Sequence, residues 1–334
     1  MLDHVKNLVF EGGGIKGLAY IGVIKELETS NVLPHIMRYG GSSAGAIIAL
    51  MLALNYNYNE VNDIFENLDI SKFKDDSNGV IRDIGRLMTD YSWLKGRILK
   101  EWIEEIIIKK TNNKDVTFKE LYMNYSKENF KDLYILGTNL TTHSTVTFCK
   151  DKTENYKIAD AVRLSCSIPI VFPPVEINDD LYVDGGVLIN FPIKLFDRKF
   201  FISEEENAFI TEEYETLNEI ESFTDPYVYN KETLGFKLDV AAHTNSLSIN
   251  NNIKKYPIFD LLDYLKELAG TVMDSQDNQL IHENDILRTV LVDSLGISAI
   301  QFDITKEVKS KLIQSGIDST RRFLDNYIMP EIQF

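Results

Sequence analysis

Short apolar runs alternate with helical patterns along the first part of the chain. Residues 7–10 (NLVF) predict a buried strand, which leads through three glycines into an apolar-periodic helix over 18–27. A second predicted strand near 36–39 leads through small residues into an apolar helix that ends at Leu54. Because the order strand, turn, helix occurs twice, the pattern indicates a parallel sheet covered by helices.

The rest of the chain continues this alternation. Predicted strands lie at 133–139 with a hairpin partner at 145–148, at 181–183 and at 288–292, and predicted helices at 157–168, 258–278 and 306–327. Core-like strands therefore occur both early and late, which favours a single domain over 1–334 with a three-layer α/β/α fold and helical insertions. We expect its core motifs within 5–195 and its completion by 256–334. The acidic, Asn-rich stretch 203–255 is interpreted as a solvated insertion.

One stripe of large apolar residues has two interpretations. Its members recur at helical spacing: Trp93, Leu94, Ile98, Trp102, Ile103, Ile106 and Ile107. The periodicity favours a helix that faces the core. The alternative is a lid or membrane-docking face over an active site.

Charge and composition narrow the function. The 334 residues are 44% hydrophobic and carry a formal net charge of -16, which opposes non-specific binding to nucleic acid. The N-terminus lacks the pattern of a signal peptide, and the longest strongly apolar run, 46–54, is too short to cross a bilayer. We expect a soluble, cytoplasmic protein with peripheral membrane contact. Its two cysteines, Cys149 and Cys166, fit small core residues better than a disulfide or a zinc site.

The first chemical motif is a nucleophile elbow. Gly41 to Gly45 (GSSAG) follow a predicted strand, precede an apolar helix and fit the pattern G-x-S-x-G. A sharp turn between strand and helix lifts the hydroxyl of Ser43 out of the sheet, and the flanking glycines avoid clashes in that turn. The helix also points its first N–H groups at the place where negative charge develops. A close-packed turn without catalysis is the alternative.

The second motif is a glycine-rich loop. Gly12 to Gly17 (GGGIKG) follow the first predicted strand, and their consecutive N–H groups form a nest for an oxyanion. The same residues also fit G-x-G-x-x-G, the sequence motif of dinucleotide-binding folds. That fold requires an acidic residue about 20 positions later. Arg38, Tyr39 and Gly40 stand there instead, so a dinucleotide site is disfavoured, although an arginine is compatible with a phosphorylated ribose.

The third motif supplies a base. Asp184, Gly185 and Gly186 end a short predicted strand, and a nucleophilic serine needs a group that accepts its proton. Histidine is the usual base, but no motif surrounds any of the five: His4, His35, His143, His243 and His282. Of these, His143 is the first candidate for a triad.

These motifs together resemble the patatin-like phospholipases. The glycine-rich loop, the GSSAG elbow and the DGG triplet occur in that family's order and rough spacing. The segment Ser165 to Pro174 (SCSIPIVFPP) also resembles the stretch before the family's catalytic aspartate. The resemblance covers about residues 5–195. Glu11 departs from the aspartate that the family often carries before its loop.

The resemblance implies a Ser–Asp dyad without metal or cofactor. Ser43 would attack an ester carbonyl and Asp184 would accept its proton. The implied oxyanion donors are Gly12, Gly13, Gly14 and Ala44, and the implied supporting residues are Lys16, Gly17, Gly41, Gly45, Gly185 and Gly186. Lys16 has two interpretations, a cation that steers a phosphate headgroup and a solvated residue of the first helical turn.

The expected activity is hydrolysis of fatty-acyl esters in glycerophospholipids, of phospholipase A type. A neutral-lipid lipase or general lipid esterase is the nearest alternative, since it would use the same dyad. A catalytically silent lipid-binding module is a further alternative, which intact Ser43 and Asp184 disfavour. The expected partner is a lipid substrate or a phospholipid surface, and the need for a protein activator stays open.

Overall fold

The computed structural model describes residues 2–73, 90–92, 94–124, 128–220, 224–239, 258–259, 261, 264–265, 267–268, 270–272, 282–301 and 303–327. The strands are β1 Asn7–Phe10, β2 Arg38–Gly41, β3 Asp132–Asn139, β4 Ser144–Phe148, β5 Val175–Ile177, β6 Asp180–Asp184, β7 Ala208–Phe209, β8 Tyr229–Asn230, β9 Thr233–Asp239 and β10 Thr289–Asp293. The helices are α1 Ala19–Thr29, α2 Ala44–Ala53, α3 Tyr58–Glu66, α4 Arg97–Thr111, α5 Phe118–Met123, α6 Ile158–Ser165, α7 Glu212–Ile220, α8 Glu283–Ile286 and α9 Lys306–Asp325.

The described strands form one large sheet and one small one. The large sheet has the order β10-β9-β1-β2-β3-β6-β5, and β4 also pairs with β3. The pairs from β10 to β3 are all parallel, whereas β4, β5 and β6 run antiparallel to their neighbours. The parallel part explains why β1 and β9 consist largely of buried residues, since helices cover such strands on both faces.

Helices pack on both faces of this sheet. α9 lies along α1 and against β10, while α2 packs on β1, β2 and β3, and α6 packs on β3 and α4. The predicted three-layer α/β/α fold with a mainly parallel sheet is confirmed. No helix among the described residues is both long enough and apolar enough to cross a membrane.

The prediction of a solvated insertion over 203–255 is wrong for β9. This strand lies inside the sheet, between β1 and β10, and its side chains Phe236 and Leu238 are buried. The apolar period was obscured by Lys237, a charged residue that is buried because it pairs with Glu11 at 2.7 Å. Residues 240–257 lie outside the described part of the chain, as does most of the helix predicted at 258–278.

Five members of the apolar stripe lie on α4. Ile103, Ile106 and Ile107 are buried, which supports the core-facing interpretation, whereas Ile98 and Trp102 are half-buried. Leu94 is buried just before the helix. Trp93 lies outside the described residues. The two cysteines are free and buried, as predicted.

Candidate active site

Ser43 stands at the turn between β2 and α2. Its backbone has φ 51° and ψ −122°, a region that residues with a side chain rarely adopt, and α2 begins at the next residue. The neighbouring glycines have no room for a side chain. A Cβ on Gly41 would lie 2.4 Å from the carbonyl of Gly45, and a Cβ on Gly45 would lie 2.3 Å from the carbonyl oxygen of Phe10. The spacing G-x-S-x-G is therefore a steric requirement of this turn.

Strand register brings Ser43 and Asp184 together. Ile135 of β3 lies between Gly41 of β2 and Phe148 of β4. Two residues further along β3, Gly137 lies between Asp184 of β6 and a residue of β4. Since β4 occupies one edge of β3, β2 and β6 share the other edge, one after the other. They run in opposite directions, so their carboxyl ends meet. The elbow and the aspartate follow at this meeting point.

Asp184 is fully buried and held by backbone groups. Its N–H donates to the carbonyl oxygen of Ser167 at 3.0 Å, and its Oδ1 accepts the N–H of Gly186 at 2.7 Å. Its other carboxylate oxygen, Oδ2, is buried and accepts no hydrogen bond from the described residues. One carboxylate oxygen is therefore fixed, while the other is available to a reacting group.

Burial sets the basicity of this carboxylate. Loss of hydration raises the pKa of Asp184 to about 7, although the hydroxyl of Ser43, the N–H of Gly186 and the charge of Arg163 each lower it. A carboxylate with this pKa is a much better proton acceptor at neutral pH than an ordinary aspartate. Gly185, the next residue, has no room for a side chain because its Cβ would lie 2.5 Å from the backbone carbonyl oxygen of Leu136.

The glycine-rich loop lies directly against Ser43. A Cβ on Gly12 would lie 3.1 Å from Cβ of Ser43, so the first glycine permits this close approach. Gly14 has φ 52° and lies against the carbonyl oxygen of Ala299, and Gly17 packs against the side chain of Ala44. The loop therefore packs against the turn that carries Ser43.

The donor assignment needs one correction. The N–H of Gly12 donates to the carbonyl oxygen of Asn190 at 3.1 Å, so it is already engaged and the structure does not support it as an oxyanion donor. Among the described residues, the N–H groups of Gly13, Gly14 and Ala44 donate to no backbone carbonyl. These three remain the predicted donors.

Lys16 also differs from expectation. It is only 2% exposed, so its interpretation as a solvated residue is wrong. Its side chain lies beneath the glycine-rich loop, with Cε 3.3 Å from the position of a Cβ on Gly13. Contact with a substrate headgroup stays a prediction.

The last residue of α6 and the two residues after it contact both Ser43 and Asp184. Ser165 Oγ accepts the N–H of Ser43 at 2.9 Å, Cys166 Sγ donates to the carbonyl oxygen of Ser43 at 3.3 Å, and the carbonyl of Ser167 holds Asp184. Sequence analysis noted this segment for its resemblance but assigned none of these roles. No local pattern reveals them, because each contact joins positions far apart in the chain.

Arg163 is a further residue that sequence analysis missed. Although it is only 7% exposed, its guanidinium donates to Gly96 O at 3.1 Å and to Ser167 Oγ at 2.7 Å. Its charge lowers the pKa of Asp184. It thereby links the start of α4 to Ser167, whose carbonyl holds Asp184.

An apolar pocket opens beside Ser43. It has a volume of about 90 Å³, and its lining residues are Gly14, Ile15, Gly17, Leu18, Ser43, Ala44, Ile47, Ile48, Phe65, Leu68, Phe73, Leu99, Trp102, Cys166, Ile168 and Phe172. Ser43 is its main polar feature. The pocket suits an alkyl chain better than a sugar or a nucleotide.

The described histidines lie elsewhere. His143 is exposed at the tip of the β3–β4 hairpin, His4 stacks on Tyr327, and neither bonds to Ser43 or Asp184. His35 lies near Asp3, and His282 caps α8. His243 lies outside the described residues. Arg38, the residue weighed for a dinucleotide, donates to Asn7 and Phe201 instead.

Comparison with known proteins identifies the family. The family model of patatin-like phospholipases matches residues 8–197, more than half of the chain. The chain belongs to the patatin-like phospholipase family. The match contains the elbow, the glycine-rich loop and Asp184.

Relatives of this patatin-like chain include viral proteins. Uncharacterized protein R571 of Acanthamoeba polyphaga mimivirus is 29% identical over 322 residues, 96% of this chain and 94% of that protein. Probable lipid hydrolase 463L of Invertebrate iridescent virus 6 is 28% identical over 195 residues, 58% of this chain and 63% of that protein. VipD from Legionella pneumophila has a TM-score of 0.57 at 18% identity, over 97% of this chain and 67% of VipD, which shows a shared fold.

Proposed function

We propose that this patatin-like chain is a lipid acyl hydrolase of phospholipase A type. It cleaves fatty-acyl esters of glycerophospholipids through a Ser43–Asp184 dyad and an acyl-enzyme. The observation that carries the proposal is that Ser43 lies between a buried carboxylate with an available oxygen and an apolar pocket. The family match and the name of the relative 463L support a lipid ester as substrate.

In the first half-reaction Ser43 Oγ attacks the acyl carbonyl carbon. Its proton passes to Asp184 as the bond forms, and the carbonyl electron pair becomes an oxyanion. When the tetrahedral intermediate collapses, the bond to the alcohol breaks and Asp184 returns the proton to the departing alkoxide. The acyl group is left as an ester on Ser43.

In the second half-reaction water replaces the alcohol. Asp184 accepts a proton from the water, whose oxygen attacks the acyl-enzyme, and the second intermediate collapses to free fatty acid and Ser43. The proton on Asp184 returns to Ser43 Oγ. Both intermediates carry an oxyanion beside Gly13, Gly14 and Ala44, and loss of one such donor costs about 3 kcal/mol of barrier.

The dyad works without histidine because its aspartate is desolvated. Its pKa of about 7 lies far closer to neutral pH than that of a solvated carboxylate, so it accepts a proton more readily. The carboxylate also has one oxygen held by Gly186, which leaves the other oxygen to accept the proton of Ser43. Transfer from Ser43 therefore needs no intermediate group.

A neutral-lipid esterase would use the same residues. The pocket beside Ser43 recognises an alkyl chain, which phospholipids and neutral lipids share. The two substrates differ in the alcohol part, so a direct comparison of both lipids separates them. A silent lipid-binding module is disfavoured by the intact dyad.

Fatty-acid release from mixed phospholipid vesicles in EDTA tests the proposal. We compare wild type, Ser43→Ala and Asp184→Asn, with Ser310→Ala as a control because Ser310 is exposed on α9. Release by wild type and the control, with loss in both dyad variants, is the expected result. Release from triacylglycerol emulsions alone would favour the neutral-lipid esterase. Absence of release from vesicles, emulsions and a soluble short-chain ester would contradict the hydrolase proposal.

A further inference from the structure

Two cavities of the molecule share one wall. The apolar pocket beside Ser43 and a surface groove of about 440 Å³ are both lined by Leu68, Phe73 and Trp102. Leu68 and Phe73 lie in the connection after α3, and Trp102 lies on α4; the three side chains are called the wall below. Because they line both cavities, they separate the pocket from the groove.

The wall is well packed. The ring of Trp102 meets Phe65 and Phe73 edge to face, with centroid distances of 5.6 and 5.5 Å. Phe65 and Phe73 are each 8% exposed, and Trp102 is half-buried where it borders the groove. Aromatic pairs in this geometry stabilise one another beyond their buried area, so the wall resists displacement by a flexible chain.

The two sides of the wall differ in chemistry. On the pocket side the neighbours are apolar, among them Ile48, Leu99 and Phe172. On the groove side the lining is charged: Asp63, Asp69, Lys72, Glu101, Glu105 and Lys109. Each methylene of a substrate is stabilised by burial in the pocket, but gains little in a charged groove open to water.

The pocket is small for a fatty-acyl chain. Its volume of about 90 Å³ is below the ~150 Å³ of an apolar cavity that accommodates benzene. Only a few carbons beyond the ester carbonyl therefore fit before the chain reaches the wall. Longer chains must displace packed aromatic rings or leave the pocket.

We propose that Leu68, Phe73 and Trp102 end the acyl site and make this chain selective for short acyl groups. The inference rests on the proposed function, because it assumes that the acyl chain occupies the pocket beside Ser43. Long-chain esters are then cleaved more slowly than short ones. Removal of the wall joins the pocket to the groove and relaxes the limit.

The test compares p-nitrophenyl esters with 4 to 14 acyl carbons, for wild type, Trp102→Ala and Ile108→Ala. Ile108 lies on the same helix but does not line the pocket, so it is the matched control. In wild type we expect kcat/KM to rise roughly fourfold per added methylene and then level off or fall beyond about six carbons. In Trp102→Ala the ratio of decanoyl to butyryl hydrolysis should increase at least tenfold.

A second variant covers loss of folding. Leu68→Ala removes a half-buried part of the same wall, so it should shift the chain-length profile in the same direction if Trp102→Ala does not fold. A wild-type profile that rises through 14 carbons would overturn the inference. So would an unchanged profile in a folded wall variant.

Binding separates this inference from the proposed function. Calorimetry with saturated fatty acids of 4 to 14 carbons and the Ser43→Ala protein measures the pocket without catalysis. A break in affinity near six carbons that Leu68→Ala or Trp102→Ala removes supports the wall, even where no ester is hydrolysed and the hydrolase proposal fails. Affinity that rises evenly with length, or no fatty-acid binding at any length, would contradict the wall.

Discussion

The hydroxyl oxygen of Ser165 accepts the backbone N–H of Ser43 at a distance of 2.9 Å. Both residues are buried, and 122 positions separate them in the chain. Ser43 has an unfavourable backbone conformation, and its N–H would otherwise lack a partner at the start of α2. Ser165 therefore stabilises the turn that carries Ser43.

Ser165→Ala should reduce kcat without a matching change in KM. The substitution leaves the N–H of Ser43 buried and unpaired, at a cost of about 1–3 kcal/mol, and loosens the nucleophile rather than the acyl pocket. We expect kcat to fall about ten- to hundredfold, with KM within about twofold. Steady-state kinetics on a short-chain ester, beside Ser310→Ala, measures the effect. A loss of rate that only follows loss of folded protein would contradict it.

The pH profile of wild type should show an acid limb near pH 7. Because burial raises the pKa of Asp184 to about 7 and the base must be ionised, kcat/KM should increase as pH rises through that value. Rates on a neutral ester between pH 5 and pH 9 measure the limb. A midpoint near 4 would show that Asp184 behaves as a solvated carboxylate.

Asp184→Asn should stabilise the fold at high pH. The folded pKa is about 7 and the ordinary value is 3.8, so the folded state holds this proton more tightly and stability falls as pH rises between these values. The full pKa difference corresponds to a loss of about 4 kcal/mol in the stability of wild type, which is complete above pH 7 and absent below pH 4. An amide cannot ionise, so the advantage of the variant over wild type should grow by about 2 kcal/mol from pH 5.5 to pH 8.

Urea unfolding of both proteins at these two pH values measures this change. Asp63→Asn is a suitable control, since Asp63 is exposed on α3. An equal advantage of Asp184→Asn at both pH values would count against a buried, titrating carboxylate.

Arg163→Gln should move the acid limb to higher pH. Arg163 lowers the pKa of Asp184 through its charge, so its removal should raise that pKa, whereas Arg163→Lys keeps a cation and should shift the limb less. Ser167→Ala removes the hydrogen bond to Arg163 but not the charge, so its limb should stay near that of wild type. Identical limbs in all four proteins would show that Arg163 does not tune the base.

Much of the site followed from local sequence. Gly41 and Gly45 flank Ser43 because the turn excludes side chains at both positions, and such a steric rule is written in adjacent residues. The parallel sheet followed from alternation of strands and helices in the same way. β9 was missed because Lys237 interrupts its apolar period, and only its partner Glu11, 226 residues away, explains its burial.

The sequence by itself determined the elbow, the glycine-rich loop, the strand that ends at Asp184 and the class of fold, because short-range sterics and hydrophobic period encode them. Tertiary structure alone decided the rest. It placed β2 and β6 end to end on one edge of β3. It also paired the N–H of Gly12 with the carbonyl oxygen of Asn190, buried Lys16 and packed Trp102 against Phe73. Each of these features depends on contacts between segments that are distant in the chain. Packing and strand register decide which segments meet, and the order of residues along the chain does not reveal either of them.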